Sequence, residues 1–178
     1  YEASMEGITA AISRKEWKTA RGLADSVARG KNPKLGRLID YGPIEAEKTR
    51  VWRRAYVLHA AALSNCDRAE LNADMAEVAR LFRETEVKHR LGGTMDRAAS
   101  LITSAAFLLG DKTLGEAMFL KTTDQRNFVT LTAYGMLHGK SRSFAEINQW
   151  IERQDSMTRC IILYGVSAGL AQLQGASK

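Results

Sequence analysis

The sequence of 178 residues has little proline, little cysteine and no long apolar run. Its two prolines, Pro33 and Pro43, both lie in the first quarter, so no proline interrupts helix formation in the rest of the chain. No apolar stretch approaches the roughly 20 residues that a membrane-spanning helix requires. The sequence also lacks a basic-then-apolar leader, so we expect a cytoplasmic protein, with a periplasmic or secreted one as the alternative.

The cysteines and histidines are isolated from one another. Neither Cys66 nor Cys160 has a second Cys or a His at the spacing of a metal site. We interpret both as buried thiols that pack as small apolar groups, with one long-range disulfide as the alternative. His59, His89 and His138 are equally far apart, so the sequence predicts no metal site. Because His59 lies in an apolar segment, we expect its ring to be buried and hydrogen-bonded.

No combination of side chains predicts catalysis or a cofactor. The carboxylates Glu84 and Glu86 are two residues apart, so on a helix they point roughly 200° apart and cannot act together on one bond. The segment 139–141 has the Gly-Lys-Ser end of a phosphate-binding loop, but Gly135 is one residue too close to it. We therefore expect no catalytic residue, no cofactor and no enzymatic activity of its own.

The positive charge is concentrated near the start of the chain. Residues 1–54 contain 12 Lys and Arg against 7 Asp and Glu, a net charge of +5 out of the total of +6. Such a region attracts nucleic acid, acidic lipid or an acidic protein surface, or it is simply a solvated surface. The candidate residues for an anionic-partner patch are Arg29, Lys31, Lys34, Arg37, Arg50, Arg53 and Arg54.

Apolar residues recur at helical spacing along almost the whole chain. This pattern predicts a short helix around Ile8 and Ile12 and a second from Trp17 to Val27. Residues 35–41 are expected to form another turn or two of helix. Pro43 then begins a long helix, because proline favours the first helical position.

Later boundaries carry recognisable capping signals. Asp67 and Glu70 have the spacing of a capping box. The segment 95–109 reads as a helix that Gly110 closes. Segments 128–134 and 160–164 are rich in β-branched residues, yet an internal repeat favours helix for both.

The internal repeat is seen when segments of the sequence are aligned on the arginine that begins each of them. The segment 97–110 recurs as 126–139, and further copies begin at Arg159 and, more loosely, at Arg54. After the copies from Arg54, Arg97 and Arg126 comes a second, amphipathic helix. Periods in this range are typical of stacked helical hairpins, in which each hairpin buries its apolar face against the next.

The repeat unit resembles the tetratricopeptide (TPR) family. An apolar helix, a Gly-Asp pair and a second helix bearing alanine occur at 105–111 followed by Ala117, and a similar layout occurs at 13–15 followed by Trp17 and Ala20. The resemblance covers residues 3–173 as architecture. It implies an all-α fold of stacked antiparallel helix hairpins, an α-solenoid of about nine helices in one domain, 1–178. A compact helical bundle is the alternative.

The same resemblance implies a function. TPR-like domains are non-enzymatic scaffolds or adaptors that bind a protein or peptide in a groove between stacked hairpins, for example as secretion chaperones or in assembly. The first alternative is a nucleic-acid-binding helical domain that uses the basic N-terminal third. The second alternative is the accessory helical region of an enzyme.

Overall fold

A computed structural model describes residues 2–26, 30–31, 38–39, 43–64, 66–89 and 93–121, together with scattered positions from 149 to 171. In this part of the chain the fold is helical, as the periodicity predicts, apart from one pair of two-residue strands. The elements are α1 (Glu2–Ser13), α2 (Trp17–Asp25), β1 (Gly30–Lys31), β2 (Leu38–Ile39), α3 (Pro43–Leu63), α4 (Arg68–Lys88), α5 (Thr94–Leu109) and α6 (Lys112–Phe119).

The two segments with ambiguous periodicity differ in what the structure describes. Segment 128–134 lies outside the described residues. In segment 160–164 the described positions, Cys160, Leu163 and Tyr164, are helical, as is Arg159 before them. The helical interpretation is therefore confirmed at those positions.

The connection between α2 and α3 differs from the helix predicted for 35–41. Strand β2 falls within that range and pairs antiparallel with β1, so that Gly30 lies opposite Ile39. The prediction of helix is therefore wrong there. The sequence supplies a reason, because the glycines and the proline at positions 30, 33 and 36 disfavour a continuous helix.

Two helix ends follow the predicted capping chemistry. The Asp67 side chain accepts a hydrogen bond of 2.9 Å from the backbone N–H of Glu70 at the start of α4, which satisfies one of the unpaired donors of the first turn. Gly110 ends α5 with a left-handed φ of 82°. The N–H of Asp111 then bonds the Ala106 carbonyl at 2.8 Å, as expected for a glycine-terminated helix.

The helices pack in chain order. Helices α1 and α2, α3 and α4, and α5 and α6 contact each other as successive pairs, and α2 contacts α3 as α4 contacts α5. Helix α1 also reaches α3, and the most extensive contact joins α3 to α5. Each pair of helices therefore packs against the next pair along the chain.

Most of the apolar core lies between α3, α4 and α5. Phe82, Leu58, Met95 and Ile102 are completely buried in this cluster. A second, smaller cluster joins α1 and α2 to Val57 of α3. Since large side chains bury the most apolar surface, the first cluster contributes most of the stability.

Helix α5 is the most deeply buried element, yet three of its buried side chains carry hydroxyl groups. Ser100, Thr103 and Ser104 donate hydrogen bonds of 3.1, 2.8 and 3.2 Å to carbonyls one turn earlier in the same helix. These bonds explain how polar side chains remain in the interior. Among the described residues, no helix is long and apolar enough to cross a membrane.

Candidate functional site

The structure describes three of the seven positions predicted for the anionic-partner patch at side-chain level. Arg29, Lys34 and Arg37 lie outside the described residues, and Lys31 is described only through its place in β1. Arg50, Arg53 and Arg54 all lie on α3, as predicted. The patch as a whole therefore stays a prediction, and its α3 part can be examined in detail.

Two of these arginines bind one carboxylate. Asp25, the last residue of α2, accepts hydrogen bonds from Arg50 Nε at 2.8 Å and from Arg54 Nη1 at 2.7 Å. Arg54 is buried, and so is Arg53. Only Arg50 therefore presents appreciable guanidinium surface to solvent, so the α3 arginines add little open positive charge to a patch.

The same network continues to a buried carboxylate on α4. Asp74 accepts hydrogen bonds from Arg54 Nη2 on α3 and, at 3.1 Å, from Arg21 Nε on α2. Arg21 also pairs with Glu70. Because buried charges must be paired, Asp74 fixes both guanidinium groups in place. The sequence contains a signal for this, namely an aspartate between Leu71 and Met75 on the apolar face of α4.

A separate feature, not predicted from the sequence, lies at one end of the helical body. Val87 at the end of α4 is 88% exposed, and Leu120 just after α6 is 79% exposed. Ile44 at the start of α3 is also exposed. Among described residues 2–121, these are the exposed large apolar side chains. We call these three residues the end face.

Ion pairs connect the helix ends that carry the end face. Glu86 and Lys121 form a pair of 2.6 Å that joins the end of α4 to the residues after α6. Glu47 and His89 lie 3.0 Å apart and join the start of α3 to the end of α4. Val87 lies in the chain between Glu86 and His89, the residues that form these two pairs at the end of α4. Exposed apolar groups rimmed by charge are typical of protein contact surfaces.

His59 on α3 combines burial with a missing hydrogen bond. Its Nε2 atom is buried without a hydrogen-bond partner, so the predicted hydrogen bond is absent at that atom. Burial lowers the pKa of His59 to about 4, because the charged ring is poorly solvated there. The ring is therefore neutral at physiological pH.

This lowered pKa predicts an acid-sensitive fold. The unfolded chain takes up a proton near pH 6.5, whereas the folded chain resists protonation until about pH 4. Stability is lost as pH falls between these values, and His59 accounts for about 2 kcal/mol of loss by pH 5. We expect the free energy of unfolding of His59→Leu, measured with urea, to fall less between pH 7 and pH 5 than that of the wild type. Equal losses would contradict this assignment.

The state of the two cysteines differs from the prediction made from the sequence. Both Cys66 and Cys160 are free thiols, so the alternative of a disulfide is wrong. Cys66 is half-buried, whereas Cys160 is exposed, so the expectation of two buried thiols is also wrong. Within the described residues, no group of three or more His, Cys, Asp or Glu side chains is placed to hold a metal ion.

Comparison of the chain with protein-family models, with curated proteins and with solved structures gives no match. Its function is therefore inferred from its own residues, namely the end face, the ion-pair network around Asp74 and the order in which the helices pack.

Proposed function

We propose that the chain is a non-enzymatic helical scaffold that binds a protein partner. The observation that carries the proposal is the end face, where Ile44, Val87 and Leu120 are exposed at helix ends that ion pairs hold together. Scattered exposed apolar residues are ordinary on protein surfaces, whereas the placement of these three at helix ends that ion pairs join favours a contact surface.

The order of helix packing supports the same proposal. Contacts between consecutive helix pairs, with α3 reaching both α1 and α5, are those expected of a TPR-like stack of hairpins. In such a stack the inter-hairpin groove and the exposed ends are both available to a peptide or protein segment. We propose that the end face is one part of this binding surface, in an assembly or secretion-chaperone role.

The arrangement of the arginines favours a protein partner over nucleic acid. Phosphate binding requires guanidinium or ammonium groups that reach an incoming backbone. Arg53 and Arg54 are buried, and both Arg50 and Arg54 are already paired with Asp25. Within the seven-residue patch, phosphate contacts would therefore depend mainly on the four basic residues between α2 and α3.

A charge-introduction experiment tests the end face. We expect the double variant Val87→Glu/Leu120→Glu to lose most of its partner in quantitative affinity purification with the tagged chain, because burying a carboxylate in an apolar contact is costly. Both side chains are exposed, so the free energy of unfolding of the variant should lie within about 0.5 kcal/mol of the wild-type value.

The matched control is Ala73→Glu/Ala76→Glu, which adds the same charge at two exposed positions of α4. The control should retain the partner at the wild-type level. Equal retention by all three proteins would contradict the role of the end face. A partner lost only after nuclease treatment would instead support nucleic-acid binding.

A further inference from the structure

Helices α1 and α2 have an apolar core of their own. Ile8 and Ala11 of α1 pack with Ala20 and Ala24 of α2, and Val57 is the buried residue that α3 contributes. The buried residues of α2 are both alanines. Trp17 and Leu23 add apolar contacts but are only partly buried, so the apolar surface that holds α2 on the rest of the molecule is modest.

Charged contacts supply much of the remaining attachment of α2. Arg21 reaches Glu70 and Asp74 on α4, while Asp25 reaches Arg50 and Arg54 on α3. Asp25 is the last residue of α2, where the negative end of the helix dipole disfavours a carboxylate. Its charge is therefore stabilised by the α3 arginines rather than by its own helix.

Asp74 lies at the centre of these contacts. It is buried and binds Arg21 of α2 and Arg54 of α3 at once, so it links three helices through one carboxylate. The fully buried residues of the large core come from α3 to α6, and of α2 only the partly buried Trp17 packs against it. Local unfolding is expected where a unit has few apolar contacts and a separate core.

We infer that α1 and α2 form a latch, a unit that opens while α3 to α5 stay folded, and that Asp74 holds it closed. Opening separates Arg21 from Asp74 and Asp25 from Arg54, and it uncovers Val57. It also frees Cys66, because Trp17, the first residue of α2, lies beside that thiol and both pack against the main core. The latch is a conformational device distinct from the end face.

Hydrogen exchange of the full chain tests the latch. In Asp74→Asn we expect amides of residues 5–24 to exchange about tenfold faster or more, because removing one partner of a buried ion pair leaves the other charges uncompensated. Amides of residues 98–107 in α5 should keep their wild-type rates. The control Glu84→Gln removes an exposed partner of Arg80 on α4 and should change neither region.

A second variant and a second measurement keep the test decisive if Asp74→Asn fails to fold. Asp25→Asn breaks only the contacts with α3 and should raise exchange in the same residues by about threefold. In a Cys160→Ser background, alkylation of Cys66 should accelerate in parallel. Exchange that rises equally in α5, or exchange and alkylation that stay at wild-type rates, would overturn the latch.

Discussion

Replacing Phe82 with alanine is expected to lower the free energy of unfolding by about 3–5 kcal/mol. Phe82 has no exposed surface and lies in the main core with Leu58 and Ile102. Removal of its ring leaves a cavity that the surrounding helices fill only partly. Chemical unfolding monitored by circular dichroism measures the loss. The slope of the free energy of unfolding against denaturant concentration should stay unchanged.

Val87→Ala is the matched comparison, since it also truncates an apolar side chain of α4 but at an exposed position. We expect a change within about 0.5 kcal/mol. If both variants unfold at the same denaturant concentration, the assignment of the core between α3, α4 and α5 is wrong.

Gly115→Ala is expected to destabilise the fold by about 1–3 kcal/mol, although alanine is the better helix former. A Cβ atom at Gly115 would overlap the ring of Phe107. Phe107 is itself buried and packs against Leu63, so its ring has little room to move. Thermal unfolding of the purified chain measures the effect.

The comparison for this variant is Gly22→Ala, a glycine-to-alanine change in the interior of another helix. No atom lies near a Cβ added at Gly22, so only the helix propensity changes and stability should rise by about 0.5–1 kcal/mol. Opposite signs for the two substitutions are the expected result. Stabilisation by Gly115→Ala would show that α6 does not pack closely on α5.

Local signals in the sequence predict much of the helical framework. Asp67 and Gly110 act within one turn of their own helix, so their capping roles follow from the neighbouring residues. The apolar spacing of Ile8 and Ile12 likewise places α1. Helix α2 ends at Asp25, two residues before the predicted end, and the stretch 35–41 contains strand β2 where helix was predicted.

Contacts between helices could not be predicted in the same way. Asp25 and Asp74 are 49 positions apart in the chain, and only the fold brings both to Arg54. An arginine in the sequence looks the same whether it is exposed or buried, which is why Arg53 and Arg54 were candidates for an open patch. The end face requires knowledge of which helix ends lie together, and spacing along one helix does not contain that information.

The end face lies away from the buried side chains that hold the helices together. Ile44, Val87 and Leu120 are exposed, and none belongs to the main core. Substitutions there are nearly neutral for folding. Under the proposed function, the binding partner could therefore change through a few surface substitutions, while the interior stays under separate selection for stability.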